Sequence, residues 1–159
     1  MSLSGVLAEE LALPVIGAPM FIVSVPELVI AQCKAGIVGS FPSLNARPAQ
    51  ELENWLKRIR AELAAHAPGP SGAGAPLKDH RSAPFAVNLI VHKSNDRLDH
   101  DLELCVQYRV PIVITSLGAR EDVNQAVHSY GGIVVTGVLD LVWTIVTLPA
   151  ALLRKMRHA

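Results

Sequence analysis

The chain has 159 residues, 50% of them hydrophobic, which is enough for one domain with a substantial core. Its 14 basic and 14 acidic residues cancel to a net charge of +0 and aromatic residues make up 4%, which argues against a nucleic-acid partner, since that needs a basic face or stacking platforms. The two cysteines, Cys33 and Cys105, stand in no metal-ligand spacing, so no metal site is expected; they read as buried free thiols in a reducing, cytoplasmic setting.

Residues 1–10 carry Glu9 and Glu10 and no basic stretch, and no signal peptide is expected there. A strand-like phrase then recurs along the chain. It reads Leu13-Pro-Val-Ile-Gly-Ala-Pro-Met20, then Pro84-Phe-Ala-Val-Asn-Leu-Ile-Val91, then Pro111-Ile-Val-Ile-Thr-Ser-Leu-Gly118, then Gly131-Gly-Ile-Val-Val-Thr-Gly137. Near-continuous apolar runs belong to strands buried on both faces, as in parallel sheets. Parallel α/β folds place their ligands at the carboxyl ends of such strands. The chain therefore reads as serial β/α units with its chemistry at those ends.

After a strand over Leu13–Gly17, Ser24-Val25-Pro26-Glu27 reads as a capping box opening a short helix that Gly36 stops. Ile37–Ser40 is expected to be a further short strand. From Pro48 to His66, Leu52, Trp55, Leu56, Ile59 and Leu63 form one helical stripe. A third helix is predicted from about Arg97 to Tyr108, with Leu98, Leu102, Cys105 and Val106 inward. A fourth runs from about Arg120 to Tyr130, with Val123, Ala126, Val127 and Tyr130 inward and Gly131-Gly132 ending it. Residues 67–76, rich in Pro, Gly and Ala, are expected to be a surface loop rather than a domain boundary.

From Ile133 to Leu153 the text is almost wholly apolar and closes on Arg154-Lys155-Met156-Arg157. Such a run resembles a transmembrane helix with a basic flank. Asp140 within it and the repeated strand phrase at its start favour a strand followed by an apolar helix instead.

Candidate chemistry lies at the strand ends. Asn88 is a lone amide in an apolar strand, and leaving it unpaired would cost about 1–3 kcal/mol, so either the backbone or a ligand satisfies it. Thr115 and Ser116 read as hydroxyls of one layer beside it. Pro19 and Met20 place a backbone carbonyl and a thioether at the end of the first strand. His92, near Lys93, Ser94 and Asn95, reads as a surface-loop residue, with a phosphate or substrate contact as the alternative; His128 packs or faces solvent, and His66, His80 and His100 fall in loops or exposed helix positions. The chain contains no HExxH, GxSxG, P-loop or GxGxxG motif, so spacing alone assembles no catalytic constellation.

Taken together, Pro14-Val-Ile-Gly-Ala-Pro-Met20, Ser24-Val-Pro-Glu-Leu28, Ala35-Gly-Ile-Val-Gly-Ser40, Pro84-Phe-Ala-Val-Asn-Leu89, Pro111–Gly118 and Ala126–Gly132 resemble the nitronate monooxygenase family, formerly the 2-nitropropane dioxygenases. The resemblance covers about residues 11–134. It implies an α/β fold of parallel β/α units of the TIM-barrel type, with FMN bound at the carboxyl strand ends. It also implies oxidation of an alkyl nitronate, a small-molecule substrate, with O2. By this resemblance Pro19 and Met20 lie against the isoalloxazine, Asn88 hydrogen-bonds the flavin, and Ser116 lines the same cavity. The family's catalytic histidine is not among the matching residues, so no catalytic residue is assigned.

Beyond residue 134 the text departs from the family. Residues 1–134 read as the N-terminal part of an FMN-dependent barrel domain, incomplete at about five strands, and residues 135–159 as a divergent apolar tail. A frameshift or truncation near residue 134 is expected to underlie the change. The alternative to an active flavoprotein oxidoreductase is an inactive truncated fragment lacking the phosphate site and base. An open sheet edge would favour self-association; a membrane partner is not expected.

Overall fold

The apolar runs become the rows of one parallel sheet. In the computed structural model, which describes residues 11–66 and 82–136, the strands are β1 (Gly39–Pro42), β2 (Phe85–Ile90), β3 (Ile112–Ser116) and β4 (Ile133–Thr136). They pair in chain order, each parallel to the next. Helix α1 (Pro26–Lys34) precedes β1, while α2 (Glu51–Ala64), α3 (Leu98–Gln107) and α4 (Glu121–His128) supply the crossovers that parallel pairing requires.

These helices share one face of the sheet. Phe41, Val87, Leu89 and Val113 point from the strands into a single buried cluster with Val29 of α1, Leu52, Leu56 and Ile59 of α2, Cys105 of α3 and Val123 of α4. The alternate strand residues, among them Ala86, Ile112 and Ile114, form a second cluster with Val38 on the opposite face, where Leu11, Ile133 and Val135 pack against it. Chain-order strands with helices on one side are the barrel arrangement, whereas a doubly wound sheet reverses its order and carries helices on both faces. The described residues thus form an incomplete parallel α/β sheet, a partial TIM-barrel-type fold.

The α2 stripe behaves as its spacing demands. Leu52, Leu56 and Ile59 are fully buried, and the Trp55 ring tilts against Phe41 at 5.6 Å between centroids. Helix α1 lies so close to β1 that a Cβ on Gly39 would sit 2.4 Å from the Val29 carbonyl oxygen. Gly36 and Gly131 adopt φ of 84° and 86° just past α1 and α4, the left-handed conformation that ends helices.

Three expectations are corrected. The Leu13–Gly17 strand is reduced to one parallel bridge between Ile16 and Val38. Its chain folds back on itself through a Val15 amide to Leu13 carbonyl bond, and Leu13, Val15 and Ile16 are exposed. A fully buried parallel strand needs a neighbour on each side, and among the described residues this segment has only the chain at 36–38. The capping box does not form: the N-cap of α1 is Val25, whose side chain has no polar atom to offer, with Pro26 opening the helix after it. Ser24 instead accepts the Met20 amide at 2.9 Å, and Glu27 pairs with Arg58. The strand expected over Ile37–Ser40 begins at Gly39 and runs on to Pro42, which buries Phe41 completely.

The loop at 67–76, His80, residues 1–10 and the apolar tail from residue 137 lie outside the described residues. Among the described residues no helix is long and apolar enough to cross a membrane.

Candidate functional site

Parallel register brings residues from distant segments to one edge of the sheet. Pro42 lies beside Asn88, Asn88 beside Ile114, and Ile90 beside Ser116. Side chains alternate along a strand, so Asn88 shares the face of Ala86, and Ser116 that of Ile112 and Ile114, away from the helices. Asn88 is buried, and its Nδ2 donates to the Ile114 carbonyl at 3.0 Å and to Ser116 Oγ at 2.7 Å. A carbonyl can only accept, so the Ile114 bond fixes which way the amide faces. Both donors are therefore committed to protein. Oδ1 accepts no hydrogen bond among the described residues and remains as an acceptor at the carboxyl edge.

Thr115 and Ser116 do not share a layer. The same alternation that puts Ser116 with Asn88 turns Thr115 to the helix face, where its hydroxyl donates to Thr136 Oγ1 at 3.2 Å. Thr115 is fully buried and ties β3 to β4 rather than lining the Asn88 edge.

Pro19 and Met20 belong to the segment that follows the Ile16–Val38 bridge. Ser40 Oγ donates to the Gly17 carbonyl and anchors this segment to β1. Met20 opens a turn closed by Ser24 N–H to Met20 carbonyl at 3.0 Å. The turn's apolar side chains are unburied: Met20 is 43% exposed, Phe21 56%, Ile22 73% and Val23 57%. Asn45, in the 3-10 turn Ser43–Asn45 that follows β1, reaches this turn from the other side. Its Nδ2 donates to the Met20 carbonyl at 3.0 Å and the Ser24 carbonyl at 2.9 Å, and its Oδ1 accepts the Ile22 amide at 3.0 Å.

Asn45 escaped the sequence reading, as did Arg97 and Asp101. Asp101 is fully buried on α3 and holds Arg97 at 3.0 Å, one helical turn away. Arg97 in turn donates to the Ala46 carbonyl at 2.8 Å and the Ser43 carbonyl at 3.4 Å, fixing the turn that carries Asn45. The signal was present as an Arg/Asp pair four residues apart, which is how ion pairs are spaced along one helix face.

Among the described residues no histidine hydrogen-bonds to Asn88 or Ser116. His92 is exposed past β2, and its Nδ1 lies 2.9 Å from Ser94 Oγ in a local turn. His128 is exposed, and His100 lies half-exposed beside Asp101. A cavity of about 590 Å³ lies at the opposite end of the sheet, lined by Arg60, His66, Phe85, Tyr108 and Arg109. Phe85 opens β2 and Pro111, also in its wall, precedes β3, so this space faces the amino ends of the strands, where barrel folds carry stability rather than chemistry. Arg60 donates to the Tyr108 carbonyl and Arg109 to the Tyr130 carbonyl, so both cations serve the scaffold.

The fold has counterparts among solved structures. FabK from Thermotoga maritima aligns at 20% identity and a TM-score of 0.61 over 84% of this chain and 35% of that one. A point variant of that FabK aligns at 18% identity and a TM-score of 0.60. Nitroalkane oxidase from Streptomyces ansochromogenes aligns at 20% identity and a TM-score of 0.63, over 83% of this chain and 42% of that one. At such identity the likeness shows a shared fold, and the chain spans well under half the length of these proteins. No protein-family model and no curated protein sequence matches the chain.

Proposed function

We propose that the carboxyl edge of this sheet is the ring-binding part of an FMN site, in an oxidoreductase that resembles nitronate monooxygenase and oxidises alkyl nitronates with O2. The observation that carries the reading is the state of Asn88. Its nitrogen is held by Ile114 and Ser116, which leaves Oδ1 as an oriented acceptor for an N–H on the edge of a heterocycle. The fold shared with a nitroalkane oxidase supports it.

The residues suit a flavin ring. Met20 supplies an exposed, polarisable apolar side chain and Pro19 a rigid one, and neither brings a charge. Ser116 keeps the Asn88 amide from rotating, so hydrogen bonding to the ring needs no reorganisation. FMN would supply the electron acceptance that nitronate oxidation needs, and the protein the orientation and the exclusion of water. A neutral nitroalkane must first lose a proton from its α-carbon, which needs a positioned base. Among the described residues the Asn88–Ser116 edge carries no such base, which favours nitronates as the substrate form.

The visible spectrum of the purified chain, after incubation with FMN and removal of free dye, tests this reading. Flavin bands should remain, nitronate-dependent O2 uptake should follow, and Asn88→Leu should abolish both. A colourless chain would leave the alternative reading, an inactive part of such an enzyme, as the correct one.

A further inference from the structure

We propose that Asn45 is a positioning residue that sets the Met20–Ser24 turn as a wall of the candidate site, with Arg97, anchored on the buried Asp101, holding Asn45 in place. The role at the site rests on the flavin reading above; the ordering of the turn does not.

The turn's own bonds, Ser24 N–H to the Met20 carbonyl, Val23 N–H to the Phe21 carbonyl and Met20 N–H to Ser24 Oγ, leave the Ile22 amide for an outside acceptor. The turn displays four exposed apolar side chains in succession, a sequence that water would fold inward. Ile22, a β-branched residue, adopts φ of 67°, in the left-handed region such residues avoid. A conformation of this kind persists only where its surroundings over-determine it. Asn45 supplies that constraint with every hydrogen-bonding direction its amide has toward this turn: one accepted bond from Ile22 and donated bonds to Met20 and Ser24. Arg47, two residues on, adds its guanidinium 5.0 Å from the Phe21 ring centroid.

Asn45 is itself placed from the core. Its turn leaves the sheet at Pro42, in register with Asn88, so the side chain that fixes Met20 departs from the edge that carries the free acceptor. Arg97 grips the turn by the Ser43 and Ala46 carbonyls, on either side of Asn45, and Asp101 grips Arg97. A chain of polar contacts thus runs from the interior of α3 to the turn bearing Met20. Truncating Asn45 should free the turn while leaving the sheet intact, because none of its side-chain bonds reaches β2 or β3.

Amide hydrogen exchange combined with FMN titration tests the proposal on the unaltered chain, Asn45→Ala and Asn45→Asp. In the unaltered chain the Ile22 amide should be protected. In Asn45→Ala it should exchange at least about tenfold faster, with the amides of β2 and β3 unchanged, as expected of a local opening. Asn45→Asp keeps the acceptor for Ile22 but sets a carboxylate oxygen against the Met20 and Ser24 carbonyls, so it should retain Ile22 protection while the Ser24 amide, which bonds the Met20 carbonyl, exchanges faster as those carbonyls are pushed away. In both variants FMN should dissociate about tenfold more readily, the scale of one lost positioning interaction. An Ile22 amide that exchanges freely in the unaltered chain overturns the proposal without any variant. So does a freed turn with FMN affinity unchanged. If the unaltered chain takes up no FMN, the flavin reading fails and the positioning role with it, while the exchange rates still report whether Asn45 orders the turn.

Discussion

Cys33 lies with its sulfur 3.4 Å from the Gly39 amide and 3.5 Å from the Pro84 carbonyl, between α1 and the sheet. Loss of water pushes its pKa up to about 11 against an ordinary 9.0, and the Gly39 amide offsets only part of this. Burial, aided by the Asp101 charge, pushes the Cys105 thiol up as well. A raised folded-state pKa stabilises the fold fully below the unfolded value and loses that contribution as pH climbs through the folded one. For Cys33 the window runs from 9.0 to about 11. The chain should therefore lose stability across that alkaline range, and Cys33→Ala should lose less of it, as followed by urea midpoints at successive pH values. Parallel curves for the two proteins would show that the thiol is not linked to unfolding. At the same scale, Asn88 was legible in the sequence because an amide inside an apolar run must be answered by something. Asn45 was not, since its partners at 20–24 are remote in sequence and only the folded turn brings them within reach.

Helices announced themselves by period. The α2 stripe, the inward Leu98 and Cys105 of α3 and the buried Val123 and Val127 of α4 follow from spacing alone. Strands were legible as continuous apolar runs, but such a run does not say how many neighbours it has. For this reason Leu13–Gly17 reads like the other strands and yet forms a single bridge. Ser24 was misread through the same limit, because the hydroxyl that could cap α1 is taken by the turn before it. Helix α1 crosses β1 so tightly at Gly39 that an added Cβ would meet the Val29 carbonyl. Gly39→Ala should cost about 3 kcal/mol, the upper end for an overpacked core, read as a shift in the urea midpoint. Gly131→Ala, with open space around it and only its positive φ to satisfy, should cost about 1 kcal/mol. Equal losses would mean that α1 can shift away from β1 without penalty.

At the scale of the molecule, the described sheet has two edges and an inner face that carries Val38, Ala86, Ile112 and Ile114. Exposed Leu13 and Val15 lie on the segment beside residues 36–38, before β1, and Met20, Phe21, Ile22 and Leu117 are exposed as well. Open edges and apolar patches of this kind favour pairing with another chain. Sedimentation of the purified chain should show species heavier than the 17.0 kDa monomer, and Leu13→Lys with Val15→Lys should shift them toward it. A monomer at every concentration would mean that these surfaces are covered within one chain.

The order β1-β2-β3-β4 carries one further consequence. A ribosome releases the chain from its amino end, so each strand after β1 emerges when one neighbour it will lie against has already been made. Each new β/α unit can then dock on the strand before it. Assembly by accretion keeps contacts near in sequence, which favours rapid folding despite parallel pairing. Among the described strands β4 is paired last, so its edge is the one still adhesive on a nascent chain once the others have docked.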